Sequence, residues 1–125
     1  MISQVANALG ANVIGICSTE EKAKIAVSNG VRHTLTTRTP ADIALQVMKF
    51  TDNHGVNVIY DGVGKDMYPE TLQCLAKRGR YINFGNASGV IESVNPFDLT
   101  PKCVSFMRPT LFSYIETREE FLQCS

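Results

Sequence analysis

At 125 residues, 44% of them apolar and 19% charged, the chain is sized for one modest domain with a real hydrophobic core. Twelve basic side chains balance twelve acidic ones, so no net field draws it to nucleic acid or to an anionic membrane surface. Its apolar runs stop short of the ~20 residues that a membrane-crossing helix needs, and Cys17, Cys74, Cys103 and Cys124 form no C-x-x-C pair, which leaves neither a metal knuckle nor a redox dithiol.

The first element expected is a helix over 4–9, followed by a buried strand over 12–17 (NVIGIC) and a helix over 20–28 whose Ala23, Ile25, Ala26 and Val27 supply its apolar side. Gly30 ends that helix. A short β-branched strand over 33–37 (HTLTT), a helix over 40–50 opened by Pro40, and a strand over 56–60 (VNVIY) come next. Residues 67–76 read as a helix closed by Gly79, and 80–84 (RYINF) as a strand. Beyond Gly89 the pattern loosens: Asn95-Pro96 and Thr100-Pro101 mark turns, 103–107 (CVSFM) forms a last strand, and 117–123 begins a helix. Strands separated by helices of about ten residues make βαβ units, so the fold class is α/β with a parallel sheet.

Ligands of open parallel sheets collect beyond the carboxyl ends of the strands. After the first strand, Cys17-Ser18-Thr19-Glu20-Glu21-Lys22 offers hydroxyls and a lysine where a fold specific for NAD would place a carboxylate on the ribose 2′-hydroxyl. Hydroxyls, helix N-terminal amides and Lys22 suit a 2′-phosphate instead. The same residues also read as a capping box, Ser18-x-x-Glu21, and the two readings coexist if Glu21 folds back on the cap. After the second strand, Thr37 or Arg38 could reach the same phosphate. Tyr60-Asp61-Gly62-Val63-Gly64 is either a close-approach loop or a plain turn capped by Asp61, and Asn83-Phe84-Gly85-Asn86-Ala87-Ser88-Gly89 suits the packing of a flat ring. No pair of carboxylates, Ser-His-Asp set or Cys-His pair is placed for acid-base or nucleophilic work, which gives a binding surface without catalytic residues.

In order along the chain, ANALGANVIGICSTEEKAKIAVSNG, GVNVIYDGVGKDMYPETLQCLAKRGRYINFGNASG and RPTLFSYIETREEF resemble the cofactor half of the NADPH:quinone oxidoreductases, the zinc-free, zeta-crystallin-like branch of the medium-chain dehydrogenases/reductases. The resemblance implies a Rossmann-like, doubly wound parallel sheet. It also implies that residues 1–125 are a partial NAD(P)-binding domain lacking the first strand and glycine-rich loop, with the GroES-like catalytic domain absent and a gap at the sheet centre. Carried over residue by residue, it puts Ser18, Thr19 and Lys22 at the 2′-phosphate of NADPH and Gly62 and Val63 beside the adenosine or ribose path. Phe84, Gly85 and Ser88 then lie near the nicotinamide. Two departures stand out: Thr37 occupies a position where relatives often carry a tyrosine, and Gly62 one where they often carry a serine. The implied reaction is hydride transfer from NADPH to a quinone without a metal, by a homodimer paired through the edge of residues 103–107; the cytoplasm is the expected location on separate grounds, since Met1-Ile2-Ser3-Gln4 lacks the basic start of a signal peptide. The isolated 125 residues are expected to be inactive. The alternative is a non-enzymatic remnant that dimerises or joins full-length relatives through that sheet edge.

Overall fold

The computed structural model describes residues 1–37 and 39–124. Helices begin where the sequence supplies a start signal. Thr19 caps α2 (Glu20–Ser28) by accepting from the Lys22 amide at 3.3 Å, and Pro40 opens α3 (Pro40–Phe50), where its missing N–H costs no helical bond. Ahead of them lie α1 (Ile2–Ala8) and β1 (Ile14–Ile16), and between them β2 (His33–Leu35). After them come β3 (Val56–Asp61), β4 (Leu75–Asn83), α4 (Pro96–Leu99), β5 (Ser105–Met107) and α5 (Arg118–Cys124). Asn95 caps α4 through Phe97 N at 3.0 Å, so the expected Asn-Pro turn is the first step of a short helix.

The segment 67–83 departs from expectation. In place of a helix over 67–76 there is a single 3₁₀ turn, Glu70–Cys74, and β4 starts at Leu75 rather than at residue 80. Pro69 explains the difference, because it disfavours helical backbone at Tyr68 and brings no amide of its own. Gly79 therefore lies inside a strand. The longer β4 pays with an irregularity: its register against β3 slips between Val56 and Val58, beside Arg78, whose φ is +60°.

Each pairing between strands is parallel, as an α/β chain requires. The sheet, however, consists of two ladders, a two-stranded one of β1 and β2 and a three-stranded one in the order β3-β4-β5. Among the described residues no strand joins β1 to β3, in keeping with the expected opening at the sheet centre. One core nonetheless spans both ladders. Leu35 of β2, Ile43, Ala44 and Val47 of α3, and Cys74 are buried together, with Ile14 of β1 and Val56 and Ile59 of β3 packed against them. A second cluster lies against the three-stranded ladder and shares Val56 and Ile59 with the first; in it the Tyr81 ring stacks on Phe106 at 5.4 Å and Tyr68 meets both edge-on. Among the described residues no helix is long and apolar enough to cross a membrane.

Candidate functional site

The parallel register of β1 and β2 brings their carboxyl ends side by side, with the Cys17 amide donating to the Leu35 carbonyl at 2.8 Å. Beyond that point the Lys22 ammonium donates to Ser18 Oγ at 2.9 Å. The cap of α2 is Thr19, one residue later than the Ser18-x-x-Glu21 box: its backbone is extended and its hydroxyl accepts from Lys22 N. Glu21 still folds back: its own amide and the Thr19 hydroxyl bond its carboxylate and hold it below the usual carboxylate range. With Glu21 turned back on the cap, Ser18 and Lys22 form a hydroxyl–ammonium pair. Thr37, by contrast, is drawn into its own turn. Its hydroxyl accepts from Thr39 N at 3.2 Å and donates to Asp42 at 3.4 Å. Arg38 lies outside the described residues.

At the end of the other ladder two loops are zipped together. Phe84 N and Gly85 N donate to the Asp61 carbonyl, Ala87 N to the Gly62 carbonyl, and Ser88 reaches the Val63 carbonyl through both its amide (2.8 Å) and its hydroxyl (2.9 Å). Gly85 has to be glycine for this, since a Cβ there would lie 2.7 Å from Gly62 O. Gly62 faces the Phe84 ring, and a Cβ on it would lie 3.1 Å from Phe84 Cζ. The ring itself is half exposed. Gly62, Val63, Phe84, Gly85 and Ser88 thus form one continuous surface, while Ser18, Thr19 and Lys22 form another at the end of the β1 ladder.

Beneath the zipped loops sits a group that sequence reasoning treated only as a turn cap. The Asp61 carboxylate, 5% exposed, accepts from Val63 N at 2.8 Å, Gly64 N at 3.1 Å, Tyr81 Oη at 3.1 Å and Asn83 Nδ2 at 2.9 Å. Tyr81 also bonds Thr71, and its phenol is pushed up mainly by burial, so it stays a donor. The signal for this network lay in spacing: Tyr81 and Asn83 are two apart on a strand, hence on one face, and Asn83 is in register with Asp61. Arg108, just past β5, was missed as well. Its guanidinium donates to the Asn83 carbonyl at 2.9 Å and to the Asn86 amide oxygen at 3.1 Å, in the orientation that satisfies that amide.

An open hollow of about 600 Å³ on the flank of α3, lined by Ala44, Leu45, Met48 and Lys102, lies toward the amino end of β4 and away from these loops. Among the described residues no three His, Cys, Asp or Glu side chains come together in a group fit to hold a metal ion. The strand-end surfaces carry instead the chemistry of a ligand cradle: a cation with a hydroxyl at one end, and at the other close backbone approach beside an aromatic face.

Comparison with known proteins finds matches along the whole chain. The family described as zinc-binding dehydrogenase matches residues 1–125. The chain is similar to a quinone oxidoreductase of Pseudomonas aeruginosa, 41% identical over 118 residues that make up 94% of this chain and 36% of that protein. It is likewise similar to a 2-haloacrylate reductase of a Burkholderia species, 42% identical over 114 residues, 90% of this chain and 34% of the other. The crystal structure of Escherichia coli quinone oxidoreductase complexed with NADPH superposes with a TM-score of 0.87 at 37% identity, over 97% of this chain and 37% of that one. The chain therefore spans a little over a third of the length of these relatives.

Proposed function

The chain belongs to the zinc-binding dehydrogenase family, and from that premise we propose that it is the NADPH-binding part of a quinone oxidoreductase. The observation that carries the cofactor assignment is the hydroxyl–ammonium pair of Ser18 and Lys22 at the end of β1, beside the capped start of α2. Such a pair, with helix amides behind it, binds a 2′-phosphate through charge-assisted hydrogen bonds. Thr19 holds the helix start that aims those amides, and Thr37 closes the neighbouring strand end. Gly62 and Val63 line the ribose path, and Phe84, Gly85 and Ser88 take the nicotinamide end. When bound, NADPH supplies the hydride; these residues bind and orient it. We assign acceptor binding, and with it quinone reduction, to a catalytic domain beyond these residues, so the 125 residues alone bind cofactor without turning over. A cytoplasmic location accompanies this reading.

The family description names zinc, but the donor set of the described residues does not fit a metal, and the proposal uses none.

Titration of the purified chain with NADPH, followed by nicotinamide fluorescence, tests the reading. Saturable binding is expected, weakened about tenfold or more by Lys22→Ala, since a hydrogen bond to a charged group contributes roughly 1.5–3 kcal/mol. NADH, which lacks the 2′-phosphate, should respond little to the same change. No binding at millimolar NADPH would overturn it.

A second reading is favoured by a separate observation. Among the described residues the outer edge of β5 pairs with no strand, and Met107 on it is 43% exposed. A chain that associates through this edge, with itself or with full-length relatives, needs no cofactor. In the enzyme the same edge would form the homodimer.

A further inference from the structure

Asp61 poses a question that a turn cap does not answer. A serine or asparagine would cap the loop; the chain instead buries a carboxylate and surrounds it with uncharged donors. The donors come from two directions. Val63 N and Gly64 N belong to the loop after β3, whereas Tyr81 Oη and Asn83 Nδ2 rise from β4. Asn83 extends the link, because the same Nδ2 donates to Gly85 O at 2.9 Å and its carbonyl accepts from Arg108. A single anion thus ties together two loops whose outer faces carry Gly62, Val63, Phe84 and Gly85. A neutral amide at position 61 could not do this, because its NH₂ would face donors on one side or the other.

We propose that Asp61 and Asn83 are positioning residues for the cofactor: their buried carboxylate–amide link sets the spacing of the loops at 61–64 and 83–89, and so fixes the surface offered to the nicotinamide end. The inference rests on the NADPH reading above. The 2′-phosphate pair of Ser18 and Lys22 stands on the other ladder, with no hydrogen bond into this network among those described. The two ends of the cofactor should therefore respond differently.

The test compares NADPH with adenosine 2′,5′-bisphosphate, which keeps the phosphate end and lacks the nicotinamide half, by calorimetric titration of wild type and Asp61→Asn. The variant is expected to bind NADPH about tenfold more weakly, the loss of one charged hydrogen-bond set, and adenosine 2′,5′-bisphosphate no more than about threefold more weakly. Equal losses for both ligands would mean that the link only maintains the fold, and no loss for either would mean that it does not position the loops; each overturns the proposal. Should Asp61→Asn fail to fold by circular dichroism, Tyr81→Phe removes one donor and keeps the ring, and the same NADPH-selective loss, now about threefold, is expected of it. Where wild type binds NADPH, the equal or absent losses overturn this inference alone. Wild type that binds neither overturns the functional reading and the inference together.

Discussion

Two glycines facing the same cleft differ in what surrounds them, and the difference decides which one can be replaced. A methyl group at Gly85 would press on the carbonyl and Cα of Gly62, backbone atoms held by the zipped loops, at 2.7 and 3.0 Å. A methyl group at Gly62 would meet only the outer atoms of the Phe84 ring, which is half exposed and can swing away. Gly85→Ala is therefore expected to cost about 1–3 kcal/mol, the range for overpacking that backbone cannot relieve, and Gly62→Ala less than about 1 kcal/mol, measured by urea denaturation. Equal costs would show that the ring is as fixed as the backbone. Legibility follows the same division. The closeness of Ser18, Thr19 and Lys22 could be read from the sequence because their spacing acts within one helical turn. The Asp61–Tyr81–Asn83 network could not, because it depends on the register of β3 against β4, which a slipped pairing near Val56 and Val58 sets. Thr37 was expected within reach of the same phosphate, and the local turn that its hydroxyl makes with Thr39 and Asp42 adds a contact that its type alone does not announce.

Among the elements, α2 and α3 were legible to their exact bounds, since a cap and an N-terminal proline announce them; the segment between β3 and β4 was not, since Pro69 overrides a helical pattern that looks adequate by periodicity. The resulting 3₁₀ turn buries Cys74 at its end, and burial pushes that thiol up to about 11, with Lys102 opposing the shift in part. The sign of the consequence follows from linkage. The thiol of the unfolded chain ionises near 9, so below that pH both states are protonated and the burial of Cys74 stabilises the fold in full. Between about pH 9 and about 11 the unfolded state loses its proton first, and this stabilisation falls away as pH rises through the folded value. Tyr81, also raised chiefly by burial, acts in the same direction at higher pH. Melting temperatures should fall between about pH 9 and 11 in wild type, and Cys74→Ala should flatten that fall while lowering stability at neutral pH. An unchanged slope in the variant would assign the alkaline loss to other groups.

For the molecule as a whole, the division of the sheet into two ladders outweighs any single contact. Four strand edges lack a strand partner among the described residues, two of them on β1 and β3, where a doubly wound sheet is ordinarily continuous. Core residues from both ladders hold the halves together through α3, but Ile16, Val58 and Tyr60 on the inner strands remain substantially exposed. The segments flanking β5 add Phe97 and Phe112, 81% and 80% exposed. Apolar surface of this extent with open edges lowers the stability of the isolated chain and favours association, so the expected behaviour is light scattering that rises with concentration and a melt below about 60 °C. The edges can be told apart by charge, because a lysine on an edge strand resists pairing with another chain. β1 and β5 are each three residues long, but β1 adjoins the opening between ladders, whereas β5 is at the rim with exposed aromatic segments on both sides of it in sequence. Met107→Lys should accordingly shift the protein toward monomer in sedimentation, while Ile16→Lys leaves its association as it was. The reverse pattern would locate self-association at the centre of the sheet and remove the support for a dimer built on β5.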